Sequence, residues 1–429
     1  MHKEYDYIIV GAGLCGLVLA KELTRKNKVL VLEKGRFLDK LGKISNAYFF
    51  YDKHALAGSR QGIHIYRILG VGGTSIGSCG NAVEFTNDAY SRIGVDFKEF
   101  IPEAKKEGNV KEGGLSIGSA SQKIMEVANK LGYDMKPMPK FNMTGNCISC
   151  GNCCLGCASG MKWTSVECLK EVNKDNLTLM TEISVEKVIT SNKKAVGVKA
   201  EGEDSVFFAK KIILSAGGIG TPIIIQKSGI EAGDNLFIDL FVNTYGLSKE
   251  FNQKRELSMS VVCTKFHSSE GFVLSPFIDN WISLSTDVNW PYILNIFKMH
   301  RLMGIMTKIS DDANGKVYAN GKVDKVPTEN DVKKLKKGSN IAKEILINCG
   351  VNPKTIFVTR PKGAHPGGTA AIGKIVNSNL ETQIKNLYVC DASVLPFAPG
   401  LPPMLTLIAL TKWFARNILK EQDGYIKTD

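Results

Sequence analysis

The fold is decided by DYIIVGAGLCGLVLAKELTRKNKVLVLE, residues 6–33. The stretch begins with a continuous apolar strand at 6–11, passes through a glycine-rich turn into a helical pattern of leucines, and returns as a second apolar strand at 29–32. A strand, a turn and a helix that leads into a second, parallel strand form the βαβ unit of doubly wound folds. The stretch therefore predicts a Rossmann-like domain in an α/β protein.

The turn of this unit carries Gly11-x-Gly13-x-x-Gly16, and the second strand ends at Glu33. Glycines at these three positions let backbone N–H groups close on a pyrophosphate at the start of a helix. An acidic side chain at the end of the next strand accepts hydrogen bonds from a ribose. We interpret the four residues as a dinucleotide site, and the alternative is a glycine-rich turn that binds no ligand.

Hydrophobic periodicity predicts further elements along the chain. The predicted helices are 117–133, 160–172, 327–350 and 402–420. The predicted strands are 177–180, 184–191, 195–200, 206–214, 281–288 and 387–391. An Asn-Gly pair within 311–318 indicates a hairpin. Residues 240–310 are rich in β-branched and aromatic side chains, which favours a second, mostly β lobe.

Composition and charge narrow the class of protein. The chain has 429 residues, of which 44% are hydrophobic and 23% charged, as in a globular protein with a sizeable core. Its formal net charge of +13 can attract nucleic acid, anionic membrane or an acidic protein. No nucleic-acid module accompanies the charge, so a lysine-rich solvated surface is preferred and no nucleic-acid partner is expected. The sequence shows neither a signal peptide nor an apolar run of about 18 residues, so a cytoplasmic location is expected.

Cysteine usage indicates metal chemistry. Five of the eleven cysteines fall in one short loop, 145–160. Four of them, Cys147, Cys150, Cys153 and Cys157, follow the spacing C-x2-C-x2-C-x3-C, which holds iron–sulfur clusters in bacterial-type proteins. In a chain without a secretion pattern, such a cysteine cluster binds metal more often than it forms disulfides. The loop is therefore predicted to hold a 4Fe–4S cluster.

Other interpretations of the cysteine loop stay open. Zinc is one, although structural zinc sites usually split their ligands into two pairs, and free structural thiols are another. The fourth ligand is also open, because the last cysteine of such a run ligates a second cluster in two-cluster ferredoxins. Cys157 is preferred, with Cys154 or a remote cysteine such as Cys168 as substitutes. A cluster would suit an acidic, ferredoxin-like electron carrier as partner.

Four motifs together resemble the glucose–methanol–choline (GMC) oxidoreductases, a family of FAD enzymes. The motifs are the N-terminal glycine run with Glu33, RILGVGGTS at 67–75, AGGIGTPIIIQKSGI at 216–230, and the pair HPGGTAAIG at 365–373 and NLYVCDASVLP at 386–396. The resemblance covers nearly the whole chain. It implies a discontinuous FAD-binding domain with an inserted, smaller substrate domain of mostly antiparallel β structure plus a helix.

The resemblance also implies boundaries and residue roles. The FAD-binding domain would comprise residues 1–239, with the cysteine loop, and return at 365–429, while the substrate domain would comprise 240–364. The residues expected to bind FAD are Gly11, Gly13, Gly16, Glu33, Gly72, Gly73, Thr74, Ala216, Gly217, Asp391, Pro403 and Thr406. His365 takes the position of the family's histidine at the reactive edge of the flavin, and a base of near-neutral pKa suits removal of a hydroxyl proton.

The expected catalytic pair departs from the family pattern at one position. Pro402 stands where the family has a second histidine or asparagine. Proline offers no side-chain donor or acceptor, so the usual catalytic pair is incomplete. The helix that follows Pro403 would still direct its positive end at the flavin.

The leading hypothesis is a dehydrogenase that acts on the CH–OH group of a small or lipidic alcohol and passes electrons from FAD through a 4Fe–4S cluster to an external carrier. A ferredoxin-fed reductase of a C=C bond is the first alternative. A non-catalytic electron-transfer subunit of a larger redox complex is the second. Apolar and aromatic residues between Trp281 and Met306 suggest a greasy pocket or peripheral membrane contact, although an ordinary core is preferred.

Overall fold

The computed structural model describes residues 4–47, 49–55, 58–113, 115–142, 147–202, 205–287 and 292–422. In this part of the chain the strands, numbered in order, are β1 (Tyr5–Val10), β2 (Val29–Leu32), β3 (His64–Ile65), β4 (Val110–Lys111), β5 (Met135–Pro137), β6 (Lys140–Phe141), β7 (Leu177–Met180), β8 (Val185–Ser191), β9 (Lys194–Ala200), β10 (Val206–Leu214), β11 (Asp234–Leu236), β12 (Phe241–Leu247), β13 (Val261–Cys263), β14 (Phe272–Pro276), β15 (Leu302–Ile309), β16 (Gly315–Val317), β17 (Val323–Asp324), β18 (Phe357–Val358), β19 (Lys362–Gly363) and β20 (Leu387–Val389).

The helices of the same residues are α1 (Leu14–Leu23), α2 (Ile44–Ala47), α3 (Asn87–Ser91), α4 (Ile101–Glu107), α5 (Ser119–Lys130), α6 (Gly217–Lys227), α7 (His267–Glu270), α8 (Trp281–Asp287), α9 (Glu329–Asn348) and α10 (Met404–Gln422). Short 3-10 segments lie at Lys53–Ala55, Gly73–Ser75, Lys98–Phe100, Cys153–Leu155, Ser165–Lys170, Gln253–Arg255, Tyr292–Arg301, Pro353–Thr355 and Ala392–Val394. None of the helices in the described ranges is long and apolar enough to cross a membrane.

The first sheet has the order β7-β2-β1-β10-β9-β8, with β20 paired to β10. β7, β2, β1, β10 and β20 run parallel, and β9 and β8 extend the sheet in antiparallel fashion. The apolar runs of β1 and β2 are almost wholly buried, as expected for parallel strands covered on both faces. Val10 pairs with Leu214, and Leu214 with Val389, so β1, β10 and β20 end at the same level. The loops that follow these three strands therefore meet at one edge.

The second sheet has the order β3-β19-β12-β15-β14-β13-β5, with β18 paired to β12. In this order, neighbouring strands pair in antiparallel fashion from β12 through β15, β14 and β13 to β5. Helix α9 packs across β12, β15 and β14. Gly338 lets α9 approach closely, because a Cβ atom there would lie 2.3 Å from Thr307 Cγ2. Thr328 and Asp331 form a capping box that starts the helix. Helix α9 thus closes one face of this sheet.

The predicted α/β class is confirmed, as are most elements. The strands predicted at 177–180, 184–191, 195–200 and 206–214 are β7 to β10, and the helices predicted at 117–133, 327–350 and 402–420 are α5, α9 and α10. Strands β3 and β5, which precede residue 240 in the chain, complete the second sheet. The proposed boundaries at 239/240 and 364/365 remain predictions.

The strand predicted at 281–288 is wrong, because 281–287 form helix α8. Its buried residues are Ser283, Leu284 and Asp287, a spacing of one helical face and not of alternate positions. The Asn280 side chain accepts a hydrogen bond from the Ser283 N–H at 3.0 Å and so starts the helix. A run rich in serine and threonine hid this periodicity. Residues 288–291, in the segment considered for membrane contact, lie outside the described residues.

The helix predicted at 160–172 is reduced to a 3-10 segment at Ser165–Lys170. Ser165 donates its N–H to Ser75 Oγ at 3.1 Å and its hydroxyl to Gly72 O at 3.2 Å. These tertiary contacts tie the segment to the glycine-rich loop at 70–75 and override its local helical preference.

The hairpin predicted at 311–318 is displaced towards the C-terminus, and its two strands are β16 and β17. Gly315 of the first Asn-Gly pair begins β16, and the turn uses the second pair, Asn320-Gly321, where Gly321 N–H donates to Tyr318 O at 2.8 Å. The strands that flank this turn are β16 and β17, which join β11 in a small third sheet. The Asn-Gly signal thus indicated a hairpin in this region but placed its turn at the wrong Asn-Gly pair.

A buried charge network connects β19 of the second sheet to helix α8 and to the residue Asp279 that precedes it. Lys362 Nζ, with no exposed side-chain surface, lies 2.8 Å from Asp279 Oδ2 and 2.6 Å from Asp287 Oδ2. Burial opposes ionisation of Asp287, yet hydrogen bonding from His64 and the charge of Lys362 hold its pKa at about 2. Asp287 is therefore ionised in the fold, and both carboxylates share one ammonium.

We predict that Lys362→Met lowers the free energy of unfolding by about 3–5 kcal/mol, since it leaves two buried carboxylates without their cation. Because the folded pKa of Asp287 lies below its unfolded value of about 3.9, this stabilisation is present above pH ~4 and is lost as pH falls towards 2. Urea unfolding at several pH values measures both effects. The exposed Lys354→Met is the control, and equal losses in the two variants would refute the prediction.

Candidate functional site

A cavity of about 1130 Å³ opens at the edge where β1, β10 and β20 end. Its wall includes Gly11, Ala216 and Asp391 from that edge and Phe241 and Met306 from the second sheet. Pockets that hold one drug-sized ligand are about 300–1,000 Å³. The cavity therefore has room for a cofactor and a substrate together.

The glycine turn leaves an open cradle at this cavity. Gly11 has a φ of +105°, and a Cβ there would lie 2.5 Å from Ser215 O. A Cβ at Gly16 would lie 1.9 Å from Gly11 O, so this glycine serves the packing of α1 against the turn. A Cβ at Gly13, by contrast, would meet no atom within 4 Å, although Gly13 lines the cavity. The open space at Gly13 fits a ligand that approaches the backbone at the start of α1.

Glu33 lies where the motif places it, at the end of β2 and on the cavity wall. It is buried, and its carboxylate accepts Ala12 N–H at 2.7 Å and Gly35 N–H at 2.8 Å. The side chain is thereby fixed against the glycine turn, with carboxylate lone pairs left over for a ribose hydroxyl.

The glycine-rich loop at 70–75 packs directly on the first turn. Gly72 N–H donates to Ala12 O at 2.8 Å, and a Cβ at Gly73 would lie 2.9 Å from Gly13 Cα. Gly73 and Thr74 line the cavity, whereas Gly72 lies behind them. This loop brings two of its three predicted residues to the same cradle as Gly13.

Asp391 ties the third strand of the edge to α6. Its Oδ2 accepts Gly217 N–H at 2.8 Å and the Thr221 hydroxyl at 2.5 Å, while Oδ1 accepts the N–H and hydroxyl of Ser393. Burial raises the pKa of this carboxyl, and the four hydrogen bonds oppose that shift. Ala216, Gly217 and Asp391 all line the cavity, but protein donors occupy both carboxylate oxygens.

Pro402 and Pro403 line the cavity just before α10 begins at Met404. Thr406 is fully buried and is not among the cavity-lining residues, and its contact with a cofactor stays a prediction.

His365 is positioned by a buried carboxylate. Its Nδ1 lies 2.8 Å from Oδ2 of Asp239, whose side chain has no exposed surface, and Gly400 N–H donates to the other oxygen at 2.9 Å. Burial and the charge of Lys308 lower the pKa of His365, and Asp239 opposes them. A neutral imidazole that donates Nδ1–H to Asp239 presents the Nε2 lone pair to the cavity.

Lys308 is a functional candidate that sequence reasoning missed. It is buried on β15, lines the cavity and lies 3.8 Å from Asp239 Oδ2. Burial lowers its pKa to about 8, although Asp239 favours the charged form. A lysine inside the apolar run LMGIMTKI at 302–309 was the available signal, since lysine is seldom buried without a partner.

The four predicted cluster ligands do not converge. Cys147 Sγ accepts Ser149 N–H at 3.4 Å, Cys157 Sγ lies 3.4 Å from Ser159 Oγ, and Cys150 is exposed. Among the described residues no group of three or more Cys, His, Asp or Glu side chains could hold a metal ion. The described thiols therefore do not fit a 4Fe–4S cluster. Residues 145 and 146 of the predicted loop lie outside the described part of the chain.

A different cysteine pair is brought together instead. Cys79 Sγ and Cys154 Sγ lie 3.3 Å apart, and both residues line the cavity. The hydrogen bond from Cys154 lowers the pKa of Cys79 to about 7, helped by nearby lysines, while the same contact raises the pKa of Cys154. The two residues are 75 positions apart in sequence, so no local spacing could have identified the pair.

Comparison with known proteins gives one consistent result. The sequence models of the GMC oxidoreductases match residues 5–241 and 304–411. An uncharacterised protein of Methanocaldococcus jannaschii is 32% identical over 97% of this chain and 100% of its own length. A long-chain-alcohol oxidase of Arabidopsis thaliana is 23% identical over 98% of this chain and 69% of its own.

Solved structures show the same fold. A formate oxidase superposes with a TM-score of 0.77 at 17% identity, covering 99% of this chain and 100% of the other. Pyridoxine 4-oxidase from Mesorbium loti superposes with a TM-score of 0.72 at 17% identity, covering 96% and 98%.

We predict that Gly13→Ala folds like the parent chain but loses about tenfold or more in FAD affinity, because the added methyl group projects into open ligand space. Gly16→Ala is the contrasting variant, since its methyl group would meet Gly11 O and destabilise the domain itself. Thermal unfolding of the FAD-free proteins and fluorescence titration with FAD separate the two effects. Unchanged FAD affinity in Gly13→Ala would show that the cradle is not a cofactor site.

Proposed function

Since this chain belongs to the GMC oxidoreductase family, we propose that it is an FAD-dependent dehydrogenase that oxidises the CH–OH group of an alcohol. The observation that carries the proposal is the pair of His365 and Asp239, which presents a neutral imidazole to the cavity that also contains the glycine cradle. FAD, when bound, supplies the acceptor for the hydride.

The residues that would hold the cofactor lie along one wall. Gly11 and Gly13 would bind the pyrophosphate through the start of α1, and Glu33 would bind the adenosine ribose. Gly73 and Thr74 would border the centre of the cofactor. Asp391 would act by holding α6 and β20 together at this edge, because its oxygens already accept four protein donors.

The imidazole of His365 acts as general base in this proposal. Its Nε2 accepts the hydroxyl proton as the adjacent C–H bond gives up hydride. Asp239 fixes the tautomer through Nδ1 and stabilises the imidazolium that forms. Lys308 supplies a cation beside the same carboxylate and limits the basicity of His365. It lies on the cavity wall where a developing alkoxide would benefit from positive charge.

The apolar side chains of the cavity wall favour a substrate alcohol with an apolar body. Phe241, Met259, Phe277 and Met306 line it, and Met306 and Phe241 share the side of the cavity formed by the second sheet. Flexible methionine side chains accommodate ligands of varied shape. We therefore favour a medium or long aliphatic primary alcohol, in keeping with the long-chain-alcohol oxidase among the relatives.

No step of this proposal passes through an iron–sulfur cluster, because the described cysteines do not fit one. A ferredoxin-like carrier, considered from the sequence as a partner for the cluster, loses its main structural support with the cluster. Peripheral membrane contact, considered from the apolar residues between Trp281 and Met306, stays a prediction. Oxygen and a dye acceptor should therefore be compared directly as oxidants of the reduced protein in the activity assay.

We predict that His365→Asn lowers kcat/KM for alcohol oxidation by about 10²–10⁴-fold, the usual contribution of a general base. Bound FAD should keep its absorbance spectrum, since His365 is not in the nucleotide cradle. Anaerobic flavin bleaching by a panel of aliphatic alcohols measures the effect. The exposed His300→Asn is the matched control. A loss below threefold in His365→Asn would remove the proposed base.

We further predict that two substitutions move the acid limb of the kcat/KM profile in opposite directions. Lys308→Met removes a cation that lowers the pKa of His365, so the limb moves to higher pH. Asp239→Asn removes the carboxylate that raises this pKa, so the limb moves to lower pH. The exposed cavity-edge variant Lys254→Met should leave the limb in place. Shifts of the same sign in both variants would contradict the assignment.

A further inference from the structure

The proposed alcohol oxidation leaves one feature of the cavity without a role. Cys79 and Cys154, from segments far apart in the chain, place their sulfur atoms 3.3 Å from each other on the cavity wall. A disulfide bond is about 2.0 Å long. A small approach of the two side chains would therefore join them, with both sulfurs already facing each other.

The backbone on both sides of the pair is held by two lysines, of which Lys140 is buried and Lys162 half-buried. Lys162 Nζ donates to Ser78 O at 2.5 Å and to Cys153 O at 3.0 Å, so one ammonium spans the residues just before each cysteine. Lys140 Nζ donates to Cys79 O at 3.0 Å. These contacts fix the two segments relative to each other and do not use either thiol.

Two further contacts complete this clamp. The Tyr51 hydroxyl donates to Cys154 O at 2.6 Å. Gly77 allows the segments to meet, because a Cβ there would lie 2.9 Å from the Tyr51 hydroxyl and 3.1 Å from Cys154 O. The pair is thus pre-organised by groups that remain in place whether the sulfurs are reduced or oxidised.

We propose that Cys79 and Cys154 form a redox site that interconverts between a dithiol and a disulfide. In oxidation the two S–H bonds break, one S–S bond forms, and two electrons and two protons leave. A small-molecule disulfide accepts them, its S–S bond breaks, and it departs as two thiols by way of a mixed disulfide. In reduction a small-molecule dithiol, or two thiols, return the electrons and protons.

The cavity gives such a co-reactant a path to the pair. Both cysteines line it, and so does Cys150, whose side chain is exposed. An incoming disulfide therefore meets the pair from the same space that admits a substrate. This activity goes beyond the proposed alcohol oxidation, because it needs only the thiols of the folded chain and can be measured with or without FAD.

The test equilibrates the full-length protein with reduced and oxidised glutathione at a series of ratios. Free thiols are then trapped with N-ethylmaleimide under acid quench, and peptides are analysed by mass spectrometry. We expect a reversible loss of two free thiols and a linked peptide pair that contains Cys79 and Cys154. Cys79→Ser and Cys154→Ser should abolish this linkage, and Cys153→Ser, one residue away, should retain it.

Several outcomes would overturn the proposal. They are glutathione adducts without an internal disulfide, a linkage of Cys79 or Cys154 to any other cysteine, and the same linkage at equal yield in urea-unfolded chain. All three outcomes are measured on the parent protein. The test therefore gives an answer even if a serine variant fails to fold. Circular dichroism and FAD titration of each variant identify such a failure. A parent protein that binds FAD but forms no disulfide would overturn the redox site and leave the proposed oxidoreductase site intact.

Discussion

The register of β1, β10 and β20 is the constraint on which the rest of the structure depends. Val10, Leu214 and Val389 lie at one level, although nearly the whole chain separates the first from the last. Parallel pairing forces the following loops to a common edge, the usual place for a ligand in an open α/β sheet. Asp391 reinforces this register through hydrogen bonds to Gly217 and Thr221. A shift of one residue would separate the cradle from the helix that closes it.

Buried or half-buried lysines recur around the cavity, and each has a structural reason. Lys362 balances two carboxylates, Lys308 stands beside Asp239, and Lys140 and Lys162 donate mainly to backbone carbonyls. Carbonyl acceptors let an ammonium stay buried without a matched anion. Because the desolvation of each charge is costly, such groups persist only where several acceptors converge. Lys362 and Lys308 thereby stabilise the second sheet by polar contacts, and Lys140 and Lys162 hold the cysteine segments in place.

The features that can be predicted from the sequence are those that depend on interactions between residues close together in the chain. The β1–α1–β2 unit and the long helices α9 and α10 depend on local spacing, and their prediction is confirmed. Helix α8 was missed because its burial pattern is set by Lys362 and by the Asn280 cap, which periodicity of serines does not disclose. The partners of His365 were also hidden. Asp239 and Lys308 are separated from it by many residues and meet only through the antiparallel pairing of β12 with β15.

The cysteine loop shows how local spacing can mislead about chemistry. Four thiols at ferredoxin spacing share a short segment, but cluster ligation also requires that their side chains converge on one volume. The segment instead directs Cys154, which the motif passes over, towards Cys79 on the glycine-rich side. Lys162 explains this choice, since its bonds to Ser78 O and Cys153 O orient the 3-10 turn at Cys153–Leu155. The cysteine of this loop that gains a thiol neighbour therefore lies on the cavity wall, and tertiary structure supplies that neighbour.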